Sequence, residues 1–154
     1  VNRTNPANLV PLVVVAGIPG YLVEYLLYSA GRALFIPPLS FGIALAAVGV
    51  LVVLFARPIY PVARKHPGAR VNPFYAARVA VLAKASSIAG AAALGFTIAV
   101  LVFVLGRPVL PAVGSLVAAA VAVVGAFVLL FGGLVAEWMC RLPPEKDEPE
   151  EPAA

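Results

Sequence analysis

One carboxylate lies deep inside an apolar stretch of this chain: Glu24, within residues 9–28. A charge in such a place is costly unless it is paired, protonated or near water, which makes Glu24 the first candidate for chemistry. At 1.5 Å per residue it sits about 22 Å along a helix that starts at Leu9, towards the far end. Two readings follow. Glu24 forms a rim ion pair with Arg32 or Arg107, which fall at a similar depth, and so locks the helix to the short loops. Alternatively, it is the proton or cation site of a small transporter. The ion pair is the plainer reading, because both arginines are at the right level.

A second group of polar residues falls at the opposite end. Lys84 lies about 8 Å inside a later apolar stretch, deep enough to reach back to the surface with its long side chain. Glu137 shares its depth, so the two can meet; Glu137 and Arg141 are also spaced i, i+4 along a continuing helix. With Arg70, Arg78, Ser86 and Cys140 they outline a candidate contact surface. Each has a structural reading as well. Lys84 snorkels, Glu137 and Arg141 fix a helix end, and Cys140 beside Trp138 is an inert interfacial thiol, lipidation being the minor alternative. His66, in Arg64-Lys65-His66-Pro67-Gly68, has no acid or second ligand near it and reads as a solvated loop residue.

Several chemistries lack their residues. There is no phosphate-cradling glycine loop, no zinc-protease helix and no Ser/His/Asp set. With 1 Cys an internal disulfide is excluded, and with 1 His a histidine-rich metal site is too. No cofactor and no enzymatic activity are expected. A membrane enzyme would need an inward cavity lined by Lys84 and Glu137.

The elements that position these residues are apolar on every side. Hydrophobic residues make up 62% of the 154 and charged ones 12%, with a mean hydropathy of +1.01, far outside the soluble range. Four stretches, residues 9–28, 39–55, 79–105 and 112–136, are long enough to cross a bilayer core of about 30 Å. None alternates apolar and polar residues as a barrel strand would. The expected fold is an all-α, polytopic membrane protein of four transmembrane helices, filling residues 1–142. Pro11 and Pro19 predict a kink in the first span. Asn72-Pro73 has the form of a cap followed by proline at the first helical position, so the third helix starts before the membrane and carries Arg78 on an interfacial turn. Residues 143–154, acidic and proline-rich, read as a disordered tail. Arg3 ahead of an apolar run closing on Ser29-Ala30-Gly31 has the outline of a signal peptide, but the run's length, Glu24 and the two prolines favour a retained span.

Charge sets the orientation. Of 11 Lys and Arg, the loop 56–78 alone holds Arg57, Arg64, Lys65, Arg70 and Arg78. Cytoplasmic loops are enriched in such residues, which puts that loop and both termini inside, against Arg32 and Arg107 outside. The net charge of +4 is then a topology signal, and no nucleic acid is expected. Anionic lipid headgroups are the expected partners of the basic loop. Small residues four apart, Ser86/Gly90, Ser87/Ala91 and Ala118/Ala122/Ala126, predict close packing of the third and fourth helices; a partner's helix or a homodimer is the alternative.

Three stretches together resemble an actinobacterial membrane-protein family catalogued as domain of unknown function 3180. They are Arg32 followed by Ile36-Pro37-Pro38-Leu39; Gly68-x-Arg70-Val71-Asn72-Pro73-x-x-Ala76-Ala77-Arg78, continuing through Leu82-Ala83-Lys84-Ala85-Ser86 to Gly90; and Glu137-x-x-Cys140-Arg141-Leu142-Pro143-Pro144. Where the family pattern has Asp, this chain has Asn72, and either residue caps a helix. The resemblance implies a four-helix protein of the actinobacterial plasma membrane, often encoded beside folate-pathway genes, with no established activity. The expected function is that of an accessory or scaffold protein binding a partner or lipid at its cytoplasmic face. A small transporter, or transporter subunit, using Glu24 is the alternative.

Overall fold

The computed structural model describes residues 6–63, 72–108 and 111–140. Arg70, Arg141, His66 and the acidic tail lie outside the described residues. Those described are helical, with no strand: α1 (Pro6–Ser29), α2 (Leu39–Ala56), a 3-10 turn (Arg57–Ile59), α3 (Tyr60–Ala63), α4 (Pro73–Leu105) and α5 (Val113–Met139). Among the described residues four helices are long and apolar enough to cross a membrane.

Local sequence accounts for most of the helix ends. α1 keeps Pro11 and Pro19 inside a continuous helix, as spanning helices tolerate when neighbours compensate the lost bonds. It stops at Gly31, whose φ of 65° suits a residue without a Cβ. There the N–H groups of Gly31 and Arg32 donate to the Tyr28 and Leu27 carbonyls, at 2.9 Å each. This is the paired C-terminal closure that satisfies the last carbonyls of a helix. Pro37 and Pro38 then hold the chain extended into α2. At α4, the Asn72 side chain accepts from the Phe74 N–H at 3.0 Å and Pro73 opens the first turn, the arrangement expected of Asn-Pro. The stretch 56–78 differs from a plain loop: helical turns occupy 57–63 and 73–78. Pro58 falls in the first turn of the 3-10 segment, where a missing N–H costs nothing.

The spans form a row in the order α1, α4, α5, α2, so that α1 and α2, neighbours in sequence, occupy its two edges. α1 runs parallel to α4: Leu9 shares a cluster with Ala91 and Leu94, and Tyr21 meets Phe103 further along. α4 and α5 are antiparallel, with Ser87 opposite Gly133 and Ala83 clustered with Ala136. α2 runs parallel to α5.

Glycine marks each seam. A Cβ on Gly17 would come 3.3 Å from the Gly95 carbonyl oxygen, and one on Gly90 would come 2.5 Å from the Leu130 nitrogen. Gly42 lies against Val121 and Ala122, and Gly49 against Val128 and Leu129. Association in lipid gains little from the hydrophobic effect, so backbones that approach this closely supply the dispersion contacts that hold the row together. The apolar side chains exposed along the outer faces, such as Val14, Ile18 and Leu22, are what a lipid-facing surface requires.

Candidate functional site

Glu24 is fully buried, although α1 is otherwise the most exposed of the four spans. Gly20, one turn before it, is pressed against Phe96 of α4, where a Cβ would come 2.9 Å from the carbonyl oxygen. One turn after it comes Tyr28. The connection between α1 and α2 folds over the carboxylate from the side: Pro37 is buried, and the Phe35 ring meets the Phe96 ring edge-on at 6.3 Å.

Of the two arginines expected to pair with Glu24, the structure favours Arg107. Its Nη2 is buried, as both Glu24 oxygens are. Arg32 is exposed, beyond the glycine closure of α1. The guanidinium of Arg107 lies 3.2 Å from the centre of the Tyr28 ring and 4.6 Å from that of Phe103. Such stacking is worth about 0.5–2 kcal/mol as the site becomes drier. Tyr21 closes on Phe103 edge-on at 5.3 Å. No direct hydrogen bond joins Glu24 and Arg107: among the described residues neither Glu24 oxygen, nor Nη2 of Arg107, has a hydrogen-bonding partner, and all three atoms are buried. The Glu24 side chain has no exposed surface. The arrangement is a sealed carboxyl at the same end of the row as an aromatic-covered arginine.

At the other end of the row, Val52, Ala56, Ile59, Val79, Ala83 and Ala136 tie the ends of α2, α4 and α5 into one cluster, with Cys140 packed against it. The Tyr75 hydroxyl donates to the Phe55 carbonyl at 3.1 Å, joining the start of α4 to the end of α2. Tyr60 and Trp138 bring their rings to 5.7 Å. Around this plug Arg78 is exposed, while Lys84 of α4 and Glu137 of α5 are half-buried. Ser86 is buried, 6% exposed, and belongs to the packing rather than to a surface. Burial pushes the Cys140 thiol above its ordinary range.

Two buried hydroxyls of α4 are satisfied within the helix, Ser87 donating to the Lys84 carbonyl at 2.9 Å and Thr97 to that of Ala93 at 2.8 Å. Among the described residues no group of three or more His, Cys, Asp or Glu is placed to hold a metal ion. Two features escaped the sequence reading. The aromatic cover of Arg107 had a signal in Tyr21 and Tyr28, seven apart on one face, but its other half comes from α4. Arg57, counted only as a loop charge, stands at the mouth of a groove between α2 and α5.

The family described as protein of unknown function DUF3180 matches residues 9–144, and the chain belongs to it. No curated protein and no solved structure matches.

Proposed function

We propose that this DUF3180 chain is a non-enzymatic accessory or scaffold protein of the plasma membrane. Its termini and the 56–78 stretch face the cytoplasm, and it binds a protein partner or lipid at that face. The observation that carries this reading is the construction of the basic end. Three helix ends are locked into one apolar plug, with Arg57 and Arg78 exposed beside it. A close-packed end bordered by Arg57, Arg78 and Lys84 suits docking. Ala83, Ala136, Ser87 and Gly133 pack tightly along the α4–α5 seam at this end.

The burial of Glu24 weighs against transport, because a carboxylate that carries protons or cations must be reached by water from at least one side. Purification of the full chain in mild detergent, followed by identification of co-purifying proteins, tests the docking role. A reproducible partner lost on Arg78→Glu supports it. Absence of any partner, with membrane complexes unchanged when the gene is deleted, would sink it.

A further inference from the structure

A groove runs between α2 and α5 along the outer surface of the row, with a volume of about 380 Å³. Its floor includes the backbone of Gly49 and Gly132, where α2 and α5 touch. Phe127 and Phe131, rings 4.4 Å apart and half-exposed, form one wall, with Val50 and Val53 opposite. One charged residue lines it, Arg57, placed immediately after the last residue of α2. The Arg57 side chain is exposed and makes no ion pair or hydrogen bond among the described residues.

Depth decides what fits. From Arg57 to Gly49 is eight residues, about 12 Å along the helix. The groove therefore starts where α2 leaves its apolar stretch and runs inward, parallel to the helices. An acyl chain lies in that direction, and a phosphate sits at the level of the helix end. An arginine is suited to phosphate by its planar fork of donors. Next to the mouth, Tyr60 and Trp138 form the aromatic pair typical of the interface.

We infer that this groove binds an anionic phospholipid, one acyl chain lying on the glycine floor and the phosphate held by Arg57. A second copy of the chain suits the groove less well, since packing it there would bury Arg57, and no acid lines the groove among the described residues. The inference deepens the lipid part of the proposed function and rests on the same membrane placement.

The chain's 1 Trp makes the test direct. Full-length protein is reconstituted in phosphatidylcholine, with brominated phosphatidylglycerol or brominated phosphatidylcholine as quencher of Trp138. The ratio of the two relative binding constants is the readout. For the wild type it should be about fivefold in favour of phosphatidylglycerol, the size expected of one basic residue at a membrane surface. Arg57→Gln should bring it to about one. Val50→Phe, which fills the groove from a lipid-facing position, should lower it too, and Arg3→Gln should leave it unchanged. An unchanged ratio in Arg57→Gln overturns the inference. So does an equal loss in Arg57→Gln and Arg3→Gln, which would mean diffuse attraction with no site. Cross-linking between copies through Val50→Cys would put a second chain in the groove, with the same consequence. Protein pull-down reads a different property, so its failure leaves this ratio unaffected.

Discussion

Gly49 of α2 and Gly132 of α5 meet backbone to backbone, so that a methyl group on Gly132 would come 2.6 Å from the Gly49 carbonyl oxygen. Seven residues earlier on each helix, Gly42 and Gly125 repeat the contact. Two turns separate the pairs on both helices, which is what parallel helices sharing one seam require. The same four glycines fix how closely α2 approaches α5, and hence the depth of the groove that Gly49 and Gly132 floor.

Gly132→Leu should therefore push α2 away from α5 and destabilise the protein by about 3 kcal/mol, at the upper end of overpacking costs. Gly114, where an added Cβ meets nothing within 4 Å, is the control: Gly114→Leu should unfold at the wild-type temperature in the same detergent. Equal melting of the two variants would mean that the seam is not as close as described.

The spans were legible because long apolar runs without alternation admit few other structures, and the Asn72-Pro73 start because a cap and a first-turn proline act locally. The order α1, α4, α5, α2 was not. A helix that is apolar all round has no polar face to point away from its neighbours. Small residues four apart in α4 and α5 did signal the seam between them, where Gly90 and Ser87 are buried. The α2 seam uses a spacing of seven, which carries meaning only once its partner helix is known. For Glu24 the sequence left Arg32 and Arg107 as equal candidates; the glycine closure at Gly31 separates them by turning the chain out at Arg32.

Cys140 should be a slow thiol. Its burial disfavours the thiolate, which is the reactive form, so at neutral pH less of it is available than in an exposed cysteine. Maleimide labelling at pH 7 should be slower than for a cysteine placed at exposed Arg78 in a Cys140→Ser background. Its rate should still be climbing at a pH where the exposed thiol has levelled off. Equal rates across the range would contradict the packing of Cys140 against the α2–α4–α5 plug.

Orientation is tested by the same chemistry on intact cells. With Cys140 replaced by Ser, a membrane-impermeant maleimide should label Arg32→Cys directly and Arg78→Cys only after permeabilisation. The excess of Lys and Arg around residues 56–78 demands this pattern if that side is cytoplasmic. The reverse pattern would invert the protein and move its proposed docking face outside.

Glu24 and Arg107 make the sharpest pair of substitutions. Arg107→Gln removes the arginine whose Nη2 is buried at the same end of the row as the fully buried Glu24 carboxyl, and a buried charge left without its partner costs about 3–5 kcal/mol. Glu24→Gln should cost less, because Arg107 keeps its stacking on Tyr28 and Phe103. The double variant should then be more stable than Arg107→Gln alone, since neither charge remains to be compensated. Such non-additivity marks two groups that act as one. Thermal unfolding of the four proteins in one detergent measures it. If the losses simply add, the two charges do not act on each other. If Glu24→Gln instead abolishes a transport activity while leaving stability untouched, the carboxylate is reached by its substrate and the sealed arrangement is not its working state.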